Sequence, residues 1–116
     1  MSKASDPLQV PEGYNKVIFL GCVNRAPELR RTPRGTAVCT FLLTVPCESV
    51  IGGKKTEDLL IDVVTFGALA EYCHTALSLG TRVLVEGALV QRRWQEGGGF
   101  VKSKFEVIAQ VARSVR

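Results

Sequence analysis

Only one stretch of the 116-residue chain, ALAEYCHTALSLG (68–80), carries the period of a helix. Leu69, Tyr72, Cys73, Ala76 and Leu77 fall on one face there, and Gly80 is placed to end the element in the left-handed conformation. The other ordered segments read as strands. KVIFLGCV (16–23) is apolar and rich in β-branched side chains, with Gly21 marking a bulge or a close backbone approach. Thr32-Pro33-Arg34-Gly35 forms a turn that leads into TAVCTFLLTV (36–45), which Pro46 stops. LLIDVVTF (59–66) alternates, with Leu59, Ile61, Val63 and Thr65 on one face. Leu60, Asp62, Val64 and Phe66 lie on the other, wetter face, so Phe66 is expected at a partly exposed surface. TRVLVEGALVQRRW (81–94) and FVKSKFEVIAQV (100–111) form a hairpin across the glycines at 97–99.

The order is therefore three strands, one helix near 68–79 and two strands. It predicts an all-β fold, a five-stranded OB-fold Greek-key barrel with one helix between strands 3 and 4. Other α+β arrangements of five strands stay open, but the small size and bent, glycine-containing strands favour closure. Length allows one domain, read as residues 15–112 after a flexible N-terminal arm at 1–14 containing Pro7, Pro11 and Gly13. That arm has no apolar run of the secretory type, and VIFLGCV is too short to span a bilayer. With Cys22, Cys39, Cys47 and Cys73 read as reduced thiols, a cytoplasmic protein with no membrane partner is expected.

Enzyme chemistry finds little support. GGKK (52–55) lacks both the earlier glycine and the following Ser or Thr of a phosphate loop. The triple glycine lies between strands, away from any helix N-terminus that could bind a pyrophosphate. His74 is the sole histidine, and no cysteines have Cys-x-x-Cys spacing. No catalytic residue, metal or cofactor is expected.

The basic residues say more. The chain carries a net charge of +4. Arg25, Arg30, Arg31 and Arg34 are read as one loop and Lys54 and Lys55 as the tip of the next, with Arg82, Arg92, Arg93, Lys102 and Lys104 on the last strands. Taken singly, each suits an ordinary solvated surface. Their joint placement on loops bordering one barrel face suits a polyanion. Trp94, the sole tryptophan, ends the fourth strand with Arg92 on its own face and Arg93 on the opposite one. An exposed indole beside guanidinium groups makes a stacking platform for bases with phosphate clamps alongside. The alternative is Trp94 packed against a partner subunit or under the glycine loop.

In order along the chain, NKVIFLG (15–21), APELRRTPRGTAV (26–38), VVTFGALAEY (63–72) and LGTRVLVEGALVQRRW (79–94) resemble the bacterial-type single-stranded-DNA-binding proteins. The resemblance covers about residues 14–111. It implies an OB-fold assembled as a homotetramer, or less often a homodimer, and sequence-tolerant binding of single-stranded DNA in replication, recombination or repair, hence a nucleoid-associated protein. Trp94 and Phe66 match two of the family's stacking aromatics, and Arg93 and Lys16 match basic positions; Arg92, Arg34, Lys54 and Lys55 join them as candidate contacts. The chain diverges elsewhere. Val50 and Leu60 stand where tryptophans are common, Asp62 where a basic residue is usual, and Ala68 and Leu79 at frequent lysines. No counterpart of the family's acidic C-terminal tail is expected within these residues, which run to Ser114-Val115-Arg116. The second reading is an OB-fold accessory protein, primosome-like, acting mainly through contacts with replication or recombination proteins.

Overall fold

A computed structural model describes residues 11–47, 50–55 and 57–116. The elements are β1 (Val17–Arg31), β2 (Ala37–Val45), β3 (Val50–Ile51), β4 (Lys54–Lys55), β5 (Leu59–Phe66), α1 (Gly67–Ala76), β6 (Arg82–Gln95) and β7 (Val101–Ser114). The five long strands close into a barrel in the order β1-β2-β5-β7-β6, with β6 returning to β1. Neighbours are antiparallel except β5 and β7, which run parallel. With one helix between the third and fourth barrel strands, this is the OB-fold arrangement that the order of periods predicts. The short strands β3 and β4 pair with each other, as a hairpin on the loop before β5. Among the described residues no helix is long and apolar enough to cross a membrane.

Alternation decides which side chains enter the barrel. Along β2, Ala37, Cys39, Phe41 and Leu43 are buried while the residues between them are half-buried. On β5, Ile61, Val63 and Thr65 point inward, as their period-two placement requires. The Thr65 hydroxyl donates to the Cys39 carbonyl at 2.9 Å, so this buried polar group is satisfied. Val23, Val83, Val85 and Val107 fill the remaining interior. Each such side chain contributes about 1.5–3 kcal/mol through its burial. The four cysteines are free thiols; Cys39 and Cys73 lie in the core, where loss of solvation pushes both up, Cys73 to about 11.

Helix α1 packs on the barrel with Ala70, Cys73 and Leu77 toward the core and Leu69 partly buried. The apolar face is thus rotated from the expected one, leaving Ala76 and Tyr72 exposed. The Tyr72 hydroxyl accepts the Ser114 N–H at 3.1 Å and so ties the helix to the end of β7. The helix also stops sooner than expected. Leu77 is already extended, and Gly80, with φ +88°, belongs to the following turn, where its N–H donates to the Val23 carbonyl at 2.8 Å.

The largest departure is β1. The sequence suggests a strand ending at Val23 and a basic loop over 25–34, yet β1 continues to Arg31. Its first part, Val17–Cys22, pairs with β6, and from Cys22 onward it pairs with β2. Pro27 argues against an uninterrupted strand because it lacks a donor, but it lies inside the register shift between Arg25 and Glu28. Arg25, Arg30 and Arg31 are therefore strand residues, and Arg34 alone of that group sits in a turn.

Two glycines let strands approach where the barrel bends. A Cβ on Gly21 would strike the Thr44 carbonyl, and one on Gly87 would strike the Ile108 carbonyl with the Ala109 Cα only 2.8 Å away. Gly87 also sits at the β6–β7 register shift. Gly87→Ala is expected to lower stability by about 1–3 kcal/mol. Gly97→Ala, with open space around it, should change stability by no more than about 0.5 kcal/mol. Urea unfolding of both variants checks the contrast.

Candidate functional site

The outward face of the barrel carries a groove of about 460 Å³ that crosses β1, β2, β5 and β7 and ends on β6. Its floor is apolar, formed by Val38, Val64 and Ile108 with Thr40, and Phe66 lies at one side. Phe66 is the last residue of β5 and is 47% exposed. Gly67 follows it with φ +65°, a conformation that turns the chain directly from strand into helix and leaves the ring at the rim.

The β6–β7 hairpin forms the opposite border. Arg92 faces Lys104 across the pair and Trp94 faces Lys102, so these four share one face. The Arg92 guanidinium stands 5.5 Å from the centre of the Trp94 ring, a cation–π contact. The indole is 39% exposed, and its Nε1–H donates to Glu96 Oε1 at 3.2 Å. Trp94 is therefore not a core residue. Its upright neighbour Arg92 extends the indole surface into the groove.

Charge in the groove is organised around two carboxylates. Asp62 on β5 accepts from Arg25 Nη2 at 2.9 Å and from Lys104 Nζ at 2.9 Å, one cation on each oxygen. Glu106 on β7 pairs with Arg92 Nε at 3.0 Å and Lys104 Nζ at 3.4 Å, again through different oxygens. The parallel register that sets Asp62 beside Glu106 brings these groups together. Farther along β1, Arg30 pairs with Glu28 at 3.3 Å. Four cations thus meet three carboxylates within the groove lining, leaving a small positive excess.

The residues proposed from sequence divide on this frame. Phe66 and Arg92 line the groove, and Trp94 adjoins it through Arg92. Arg93 does not share this surface; it sits on the other face of the hairpin, where its Nη2 donates to Gln91 Oε1 at 2.7 Å. Lys16, just before β1, Arg34 in the β1–β2 turn and Lys54 on the β3–β4 hairpin are exposed but outside the groove lining. The side chains of Lys55 and Val50 lie outside the described residues. Leu60, on the outward face of β5, is 57% exposed. Arg31 serves the fold, bridging to Glu71 of α1 at 2.9 Å.

Sequence reasoning missed Glu106 and the floor residues Val38, Thr40, Val64 and Ile108. A signal for part of this was present: Asp62, Val64 and Phe66 alternate on β5, as do Lys104, Glu106 and Ile108 on β7. What alternation lacks is the β5–β7 register, which places the two sets side by side. Among the described residues, no cluster of three or more His, Cys, Asp or Glu is placed to hold a metal ion.

The model of the single-strand binding protein family matches residues 14–115, which takes in the whole barrel and its groove. The chain belongs to that family. The single-stranded DNA-binding protein of Thermotoga maritima is 41% identical over 103 residues, covering 86% of this chain and 72% of that protein. Those of Wolinella succinogenes and Helicobacter hepaticus are each 34% identical over 99 residues, covering 84% of this chain. The chain spans only 61% and 58% of the lengths of these two relatives.

Within this member of the family, Lys104 reports on the groove. Its hydrogen bond to Asp62 raises the ammonium above the ordinary lysine value; burial opposes this, and the charges of Asp62 and Glu106 reinforce it. A raised folded value means the contribution to stability is fully present below the ordinary lysine pKa and is lost as pH rises through the folded one. An NMR titration should place the Lys104 side chain above 10.5. Asp62→Asn should bring it back toward that figure.

Proposed function

We propose that the groove binds single-stranded DNA without catalysis and with little regard to sequence. The observation that carries this is the pair of exposed aromatics, Phe66 in the lining of a groove that holds both apolar residues and cations, and Trp94 beside that groove under Arg92. An unpaired strand offers both of the things this surface can hold. Its bases present π faces to the rings, and its phosphates meet Arg25, Arg92 and Lys104. Duplex DNA keeps its bases stacked and satisfies only the charges. Lys102, exposed on the same face of the hairpin as Trp94, extends the phosphate track. Family membership and the names of the relatives support the same reading. The processes served are those that expose single strands: replication, recombination and repair.

The chain acts as a homo-oligomer in this reading. Ile18 and Leu20 are 58% and 43% exposed on the outer face of β1, across from half-buried Leu84 of β6. Pairing of β1 with β2 begins only at Cys22, so Val17–Gly21 meet a sheet neighbour on the β6 edge alone. A second copy would cover both the apolar side chains and the open edge. Light scattering at micromolar concentration should give a multiple of the 12.6 kDa chain mass. A clean monomer would count against assembly.

Binding has a direct optical readout, because Trp94 is the sole tryptophan. Oligo-dT should quench its fluorescence to saturation, and duplex of equal charge should compete poorly. Trp94→Ala should lose roughly 1–3 kcal/mol of affinity, and Phe66→Ala a similar amount. With leucine at position 60 instead of a further ring, wild-type binding should be weaker than in members holding every platform. Anisotropy of labelled oligo-dT gives an independent check. No binding by either method at low salt would overturn the DNA reading and leave the accessory-protein reading in its place.

A further inference from the structure

Every cation lining the groove already has a carboxylate partner, and the pairing is most complete at its centre. All four oxygens of Asp62 and Glu106 are engaged, by Arg25, Lys104 and Arg92. The two acids are also sheltered: their side chains are 17% and 8% exposed, whereas Arg25 and Arg92 are 64% and 59% exposed. The acids are therefore built into the barrel wall, and the guanidinium groups are the mobile partners. A phosphate oxygen and a carboxylate oxygen make the same kind of charge-assisted bond to an arginine or lysine. Three cations facing two fixed anions offer a strand much less attraction than three free cations would.

Resting on the single-strand-binding reading above, we infer that Asp62 and Glu106 are built-in competitors for the phosphates of the bound strand and set its affinity. The strand gains Arg25, Lys104 and Arg92 only to the extent that it draws them away from these acids. Complete withdrawal is costly at Glu106, since a buried carboxylate would be left without partners. Competition of this kind weakens the bound state while leaving the aromatic contacts untouched. It therefore yields a complex that dissociates readily while keeping its preference for unpaired bases.

The test compares wild type, Asp62→Asn and Glu106→Gln by anisotropy of labelled oligo-dT across a salt series, with circular dichroism and thermal melts to show that each variant is folded. Releasing one cation to neutralise one more phosphate should steepen the log–log salt dependence by about 0.7. Extrapolated from molar salt, that slope makes Asp62→Asn bind about 8-fold tighter at 0.05 M salt and about 3-fold tighter at 0.2 M. Glu106→Gln should move the same way, and it decides the matter should Asp62→Asn fail to fold. A folded variant that binds no tighter than wild type overturns the inference, because the acid would then be positioning its cations for the strand. A wild-type protein that binds no oligo-dT at any salt is a different failure: it overturns the single-strand reading itself, and the inference with it.

Discussion

The divided pairing of β1 is the constraint on which the rest of the molecule depends. One strand serves β6 with its first part and β2 with its second, and the changeover occurs at Cys22, beside Gly21, where the backbones come too close for a side chain. That changeover closes the barrel. It also commits the following residues to a bulged strand, since the chain shifts register twice between Val23 and Glu28 to stay beside β2. The bulges turn Arg25 and Arg30 outward over the groove and direct Arg31 toward the helix. A straight strand would have paired more backbone and placed fewer charges. The site is thus a consequence of how the barrel closes.

The groove joins the core at β7. Val107 is fully buried, while Glu106 beside it in sequence has its carboxylate in the groove wall. The pleat sends successive residues to opposite sides, so the same short segment anchors the interior and sets the charge outside. Burial of Glu106 is tolerable because two cations satisfy it, and those cations are the ones a polyanion would seek. On the proposed reading, stability and binding therefore draw on the same groups. A protein whose groove cations were unpaired would attract phosphate more strongly but would suffer greater repulsion among them when unbound.

Much of the architecture was legible because barrel strands alternate and a helix does not. The solitary helical window and the inward face of β5 needed nothing beyond period, and Phe66 followed from its parity with Asp62. The second half of β1 was hidden by Pro27, whose residue type argues against a strand while its position in a bulge permits one. The face of α1 was blurred because Tyr72 and Cys73 are neighbours and either could have faced inward; the hydrogen bond from Ser114 kept the tyrosine at the surface. Glu106 was hidden for a different reason. Its partners Arg92 and Lys104 come from the β6–β7 hairpin, and only the parallel β5–β7 contact, which no local signal encodes, sets Asp62 beside it so that the two acids share Lys104.

Register also separates two arginines that adjoin in sequence. Arg92 lies over the Trp94 ring and bonds Glu106, whereas Arg93 bonds Gln91 on the reverse of the hairpin. The reverse face also carries Phe105 and Val101, which are 54% and 67% exposed. On the proposed reading, a strand in the groove would meet Arg92 and Trp94 as one unit, because the guanidinium lies over the ring in a cation–π contact. Arg92 therefore has two attachments, the indole at its face and Glu106 at its edge, and an arriving phosphate would compete with Glu106 alone. Its planar group can keep its face on the indole while its edge exchanges one oxyanion for another. That exchange requires no movement of the barrel, so the aromatic platform stays in place whichever anion the arginine holds.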